Sequence, residues 1–313
     1  MSHAGRIGGM ARVLLVALIV SLPFTPALTA ADPPPELALW KNAPPGSTGE
    51  PDVKEKVRSH KAQRGSPSGR NRAFSSVSKP TYSIHRPKKP NGVGVVICPG
   101  GGFRDIWIDR EGHDLAIWLR GRGVTSLVLK YRTRPAVIGS RDVWWNYQRS
   151  VRADGWQAIR VLRQKASDLG LEPEKIGICG FSAGGHLAIS CALHPEPKLK
   201  EGAVSGMPSF AGLFYPGIPD DVDERMAART GPKGNATNIC PMFIVNACVD
   251  RLTPAGKCIG FYAKLLKAGV NAELHVFSKG THGFGLGAGR GESVAMWPAS
   301  FAAWLRDSNM IPD

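Results

Sequence analysis

The chain has 313 residues, 42% hydrophobic and 21% charged, with 40 Lys and Arg against 25 Asp and Glu for a formal net charge of +15. That balance excludes an intrinsically disordered chain and allows one large core, while no apolar run reaches the roughly twenty residues of a membrane-spanning helix. The basic excess favours polyanionic surroundings, but no recognition motif accompanies it, so nucleic acid is not an expected partner.

At the start, Arg6 and Arg12 flank the way into an apolar stretch, Val13–Leu22, and Pro23 and Pro26 lead on to Ala27-Leu28-Thr29-Ala30-Ala31. A basic start, a short apolar stretch and small residues predict a secretory signal peptide over residues 1–31, hence a secreted or periplasmic protein with no integral membrane span. No cysteine precedes Cys98, which excludes a lipid-bearing cysteine at the cleavage point. Residues 32–76 hold Pro33-Pro34-Pro35, Pro44-Pro45-Gly46 and a run of basic residues from Lys54 to Arg72. This composition predicts an extended or partly ordered basic arm, with solubilisation as its role.

From residue 77 onward short apolar runs alternate with helix-like stretches. The runs are Gly92–Cys98, Ser126–Tyr131, Ile176–Cys179, Phe210–Tyr215, Met242–Ala247 and Ala272–Phe277; the stretches include Asp114–Arg120, Val151–Leu169 and Ala255–Ala268. Continuous apolar strands between helices predict a doubly wound, mostly parallel sheet flanked by helices over residues 77–313, with active-site residues beyond the strands' C-terminal ends.

The first strand empties into Pro99-Gly100-Gly101-Gly102-Phe103. Consecutive glycines are costly in chain entropy and mark a close backbone approach, here read as an oxyanion hole with Gly101 and Gly102 as donors. Trp144 and Trp145, with Tyr147, are expected in a loop before the Val151 helix, where adjacent tryptophans can stack on sugar faces.

The most informative stretch is Gly180-Phe181-Ser182-Ala183-Gly184-Gly185, directly after Ile176–Cys179. A serine between glycines at a strand-to-helix turn reads as a nucleophile elbow, with Ser182 the nucleophile and the Ala183 N–H a third oxyanion donor. The acid and base should follow in the order Asp, then His. Asp250 stands just past the run Met242–Ala247, and His282 lies in Gly280-Thr281-His282-Gly283 after the final strand. His282 would take the Ser182 proton while Asp250 fixes its tautomer.

His186 is read as packing beneath the site, and His113, His194 and His275 as structural or surface groups. The acidic run Asp220, Asp221, Asp223 and Glu224 follows turn residues and reads as a solvated loop. Pro216–Asn238, polar and short, predicts a minimal lid over an open cleft. Cys98, Cys179 and Cys191 read as small buried hydrophobes, while Cys240, Cys248 and Cys258 offer one disulfide bridge. No Cys-x-x-Cys or paired-histidine pattern suggests zinc, and neither metal nor cofactor is expected.

These motifs together resemble the α/β-hydrolase serine esterases of the acetyl xylan esterase and feruloyl-esterase-like (BD-FAE-like) group, some of whose members are labelled endo-1,4-β-xylanase. The resemblance runs from about Val77 to Leu305. It rests on Ile97–Phe103, on Asp154 and its helix, on Gly180–Ala188, on Asp250 and on His282-Gly283-Phe284-Gly285. Pro99 stands where hormone-sensitive-lipase-like esterases carry the histidine of His-Gly-Gly-Gly, which sets the chain with the Pro-Gly-Gly-Gly esterases. The resemblance implies a secreted hydrolase removing small acyl groups, acetyl above all, from polysaccharide or oligosaccharide. Two alternatives stand beside it: a prolyl-oligopeptidase-like serine peptidase, disfavoured by the lack of a propeller domain, and a non-catalytic carbohydrate-binding protein on a hydrolase scaffold.

Overall fold

A computed structural model describes Met1 and residues 32–46, 53–134, 141–229 and 239–311. The expected signal segment therefore lies, Met1 apart, outside the described residues. In chain order the strands are β1 (Leu37–Ala38), β2 (Lys56–Ser59), β3 (Arg72–Ser75), β4 (Thr81–His85), β5 (Gly92–Cys98), β6 (Asp105–Ile106), β7 (Thr125–Lys130), β8 (Leu171–Phe181), β9 (Ala211–Phe214), β10 (Met242–Ala247) and β11 (Ala272–Phe277). The helices are α1 (Asp114–Arg120), α2 (Arg141–Gln164), α3 (Ala166–Leu169), α4 (Ala183–Leu193), α5 (Val222–Ala227), α6 (Ala255–Lys267) and α7 (Trp297–Asp307).

Eight strands form the main sheet in the order β1-β4-β7-β5-β8-β9-β10-β11. Every pairing from β7 to β11 is parallel, and only the edge pairs β1–β4 and β4–β7 are antiparallel. Strands β5, β7, β9 and β10 are buried along their whole length, which is why they read as unbroken apolar runs: helices cover both faces. The chain leaves β5 for β7 on one side and later returns to β8 on the other. The C-terminal ends of β5 and β8 therefore flank a topological switch point, where such sheets place their ligands. The glycine loop follows β5 there and Ser182 follows β8.

Strand β8 starts five residues ahead of the apolar run at Ile176 and takes in the polar stretch Glu172–Lys175. Leu171 pairs with Gly92 and Ile176 with Gly94, so the residues between them bulge out of the ladder. Helix α2 starts at Arg141, ten residues before the expected start at Val151, so Trp144 and Trp145 sit on its first turns and not in a loop.

Residues 32–76 also differ from the expected arm. They belong to the same unit as the rest of the chain from Asp32 on. Strand β1 extends the main sheet, and β2, β3 and β6 form a second, three-stranded sheet. The Trp40 indole donates to Asp154 Oδ1 at 2.9 Å, and Arg132, which is ion-paired to Asp154, also donates to the Pro45 carbonyl at 2.7 Å. Arg72 grips Asp109 through both Nε and Nη2, at 2.9 and 2.8 Å. Of the basic residues that suggested a solvated arm, Arg58 and Arg72 are thus partners for carboxylates beyond the segment, Asp105 and Asp109. No bridge joins Cys240, Cys248 and Cys258; all six cysteines are unpaired, and Cys98, Cys179, Cys191 and Cys258 are buried in the core. Cys258 instead accepts a hydrogen bond from the Asn246 amide at 3.1 Å.

Candidate active site

Ser182 stands between β8 and α4 with φ 52° and ψ −116°, a backbone conformation that a non-glycine residue adopts only at a cost of about 1–3 kcal/mol. Three backbone bonds hold it there: its N–H donates to the Phe214 carbonyl at 3.0 Å, and its carbonyl accepts from the N–H groups of Gly217 and His186 at 2.9 and 3.1 Å. The flanking glycines answer to space. A Cβ on Gly180 would come within 2.1 Å of the Gly184 carbonyl oxygen, and one on Gly184 within 2.0 Å of the Cys98 oxygen. The turn closes only because neither residue carries a side chain.

The structure brings Ser182, His282 and Asp250 together from three separate loops. Ser182 Oγ lies 2.8 Å from His282 Nε2, and His282 Nδ1 lies 2.8 Å from Asp250 Oδ2. With Nδ1–H donating to the carboxylate, Nε2 is left as the acceptor for the serine hydroxyl. The Asp250 side chain is fully buried and the His282 ring one-fifth exposed, so the acid is sealed while the base reaches solvent. Asp250 sits in a turn after β10, where Oδ1 accepts the N–H groups of Leu252 and Thr253, both at 2.9 Å. Burial would raise its carboxyl. The hydrogen bonds from His282 and Thr253, with the charge on His282, outweigh that and hold it below its ordinary value.

The glycine loop has uncommitted donors. Pro99 O accepts from the Tyr131 hydroxyl at 2.6 Å, Gly100 O from Trp107 N at 3.1 Å, and Gly101 O from Asp105 N at 3.0 Å. Among the described residues the N–H groups of Gly101, Gly102 and Ala183 have no acceptor. Gly101 has φ +135° and Gly102 φ +62°, and a Cβ on Gly102 would meet nothing within 4 Å, so this backbone borders open space. Such an arrangement can accept developing negative charge beside a nucleophile.

Trp144 is half-buried, its ring 5.9 Å from Phe103 and 5.7 Å from Tyr147. It packs into the aromatic group under the glycine loop, and Trp145 is half-buried beside it on α2. His186 is outside the relay: its ring meets the edge of Phe103 at 5.4 Å, and burial, with the charge of Arg225, pushes its imidazole down to about 3. His113 bonds to His85, His194 to Arg152, and His275 to Glu273. Asp220, Asp221 and Asp223 pair with Lys257, Arg225 and Lys264. Of the expected lid, α5 is described and residues 230–238 lie outside the described residues. Among the described residues no three His, Cys, Asp or Glu side chains gather as they would around a metal ion, and no helix is long and apolar enough to cross a membrane.

Sequence reasoning missed Glu111, Tyr215, Thr253 and Gln63. Thr253 hydroxyl lies 2.9 Å from Asp250 Oδ2, and the spacing Asp-x-x-Thr ahead of Pro254 and α6 was a legible signal for it. Glu111 and Tyr215 carried no such signal.

A model of the BD-FAE family matches residues 149–210, which span Asp154, β8, the serine turn and α4. The chain is 30% identical over 224 residues to an acetylxylan esterase of Xylanibacter ruminicola, an alignment covering 64% of this chain and 43% of the relative. The chain thus spans less than half the length of that protein. Among solved structures it is similar to an acetyl ester-xyloside bifunctional hydrolase from Caldicellulosiruptor lactoaceticus, with a TM-score of 0.64 at 23% identity over 91% of this chain and 100% of that one. It is also similar to the propionate-bound thermophilic esterase Est2 of Thermogutta terrifontis, with a TM-score of 0.59 at 26% identity over 75% of this chain and 92% of the other. With its parallel sheet, its serine turn at the switch point and these likenesses, the chain has the α/β-hydrolase fold and is similar to the BD-FAE family across the segment that carries Ser182.

Proposed function

We propose that the protein is a serine carboxylic-ester hydrolase, exported by its N-terminal segment, that removes small acyl groups, acetyl foremost, from polysaccharide or oligosaccharide. The observation that carries the reading is the unbroken relay from Ser182 Oγ through His282 to Asp250, with 2.8 Å at each step. Ser182 attacks the ester carbonyl as His282 Nε2 takes its proton, and the N–H groups of Gly101, Gly102 and Ala183 receive the oxyanion. Collapse expels the sugar hydroxyl with the proton from His282. Water, deprotonated by the same imidazole, then releases the acid and restores the serine. The carbohydrate half of the reading is supported by likeness to an acetylxylan esterase. Trp145, half-buried on α2, is the side chain proposed to meet the sugar.

The test is acetate release from acetylated xylo-oligosaccharides by the purified protein, with Ser182→Ala as control. Release that vanishes in the variant supports the proposal. Ser182-dependent hydrolysis of a short aryl ester without acetate release keeps the chemistry and removes the sugar. Silence on both substrates overturns it.

A further inference from the structure

We propose that Glu111 is a positioning residue that sets the oxyanion loop and, through Tyr215, the loop of the base; the inference rests on the ester-hydrolase reading above. Glu111 lies on a short wide helical turn, Asp109–His113, that leads into α1. Its side chain is 2% exposed, and each carboxylate oxygen points at a different part of the site. Oε2 accepts the Gly100 N–H at 2.8 Å, and Oε1 accepts the Tyr215 hydroxyl at 3.0 Å. The nearest cation is Arg110, whose Nε is 3.5 Å from Oε1.

The bond to Gly100 has a consequence for the loop. From Pro99 to Gly101 each backbone polar group but one is committed: Pro99 O to Tyr131, Gly100 N to Glu111, Gly100 O to Trp107, and Gly101 O to Asp105. The remaining Gly101 N–H, with that of Gly102, is free to face a substrate only because these four bonds fix the peptide planes. Gly100 is also wedged. A Cβ there would lie 2.6 Å from Glu111 Oε2 and 2.8 Å from Ser182 Cβ, so the carboxylate and the nucleophile's residue both crowd the place a side chain would take.

The second bond reaches the base. The Tyr215 hydroxyl that donates to Glu111 accepts the Gly285 N–H at 3.2 Å, three residues past His282. The Tyr215 ring meets the His282 ring edge-on, with centroids 5.1 Å apart, and its carbonyl lies 3.1 Å from the Thr253 hydroxyl beside Asp250. Tyr215 itself has φ +38°, a left-handed conformation that a bulky residue holds only when its surroundings impose it. One buried carboxylate thus links the oxyanion loop to the loop of the base, by way of Gly100 and Tyr215.

The test uses the full chain with Glu111→Ala, Glu111→Gln and Tyr215→Phe, measuring kcat and KM on a short aryl ester, thermal midpoint, and the rate at which a fluorophosphonate labels Ser182. Glu111→Ala is expected to lower kcat about a hundredfold with KM changed less than about threefold, a loss comparable to that of an oxyanion donor. Labelling should slow in parallel, because the phosphonyl oxygen needs the same donors. Glu111→Gln, whose amide oxygen still accepts from Gly100, should recover about tenfold of that loss, and Tyr215→Phe should lower kcat about tenfold. If the alanine variant does not fold, the other two decide. A lower thermal midpoint with kcat and labelling unchanged overturns the proposal and leaves Glu111 a stability residue. If the unmodified protein hydrolyses no ester, the ester reading fails, while slower labelling of Ser182 in the variants still upholds the positioning role and equal labelling refutes it.

Discussion

The side-chain amide of Gln63 donates to the carbonyl of Gly283 at 3.1 Å, joining the N-terminal segment to the residue next to His282. Gly283 has φ +74°, so its peptide has no side chain to steady it and depends on this bond and its neighbours. Removal of a neutral hydrogen bond costs about 1 kcal/mol, near a fivefold effect on a rate that requires the loop in place. Gln63→Ala should lower kcat by about that factor while the thermal midpoint moves little; unchanged kinetics would show that the loop holds itself.

Ser182→Ala and His282→Ala should each reduce kcat by roughly 10⁴-fold or more, and the double variant should be little worse than either, because the pair acts as a unit. Asp250→Asn should lower kcat by about 10³–10⁴-fold with the fold intact, since an amide at that position favours the wrong imidazole tautomer. Circular dichroism beside the kinetics separates lost chemistry from lost structure.

Gly184→Ala and Gly102→Ala should part company. At Gly184 the new Cβ would lie 2.0 Å from the Cys98 carbonyl, so the β8–α4 turn must open and the soluble yield or thermal midpoint should fall sharply. At Gly102 there is open space, and the cost is the strain of φ +62° alone, about 1 kcal/mol. That variant should fold, and its activity measures how far the oxyanion donors tolerate a shift.

Acid should weaken the fold through two buried histidines. His85 and His113 are buried together, with Nε2 and Nδ1 2.8 Å apart. Burial first, then the neighbouring His113 and Arg120, pushes His85 down to about 3; burial, only partly offset by Asp109, pushes His113 down to about 4. Both rings are neutral in the folded state and would gain protons on unfolding below about pH 6.5. Their contribution is therefore intact above that pH and is lost as pH falls from about 6.5 towards 4. The thermal midpoint should drop by several degrees between pH 7 and pH 5. Replacing both residues by Asn should lower stability at pH 7 but flatten that slope; an unaltered slope would assign the acid lability elsewhere.

Strands β5 and β10, buried along their whole length, were legible because each reads as one apolar run, and the half-buried edge strand β11 also falls where the sequence predicts it. Two-residue β1 and fully exposed β2 carry no periodic signal, so their pairing was invisible and the basic segment read as an arm. Helix α2 was cut short at its start because Arg141 to Arg149 is polar and aromatic, with Tyr147 and Gln148 buried by contacts that only the folded chain supplies. Ser182, Asp250 and His282 stood out because a strained turn and two glycine-rich or turn-like loops leave composition marks. Glu111 left none, since a carboxylate that turns inward looks in sequence like one that faces water.

Six unpaired thiols give the molecule no covalent cross-link, so folding waits on no oxidant and the thermal midpoint should be the same with and without reductant. Cys248 alone among them is exposed, two residues before Asp250. A maleimide dye attached there would sit on the loop that carries the acid and report, in the intact molecule, when that loop moves.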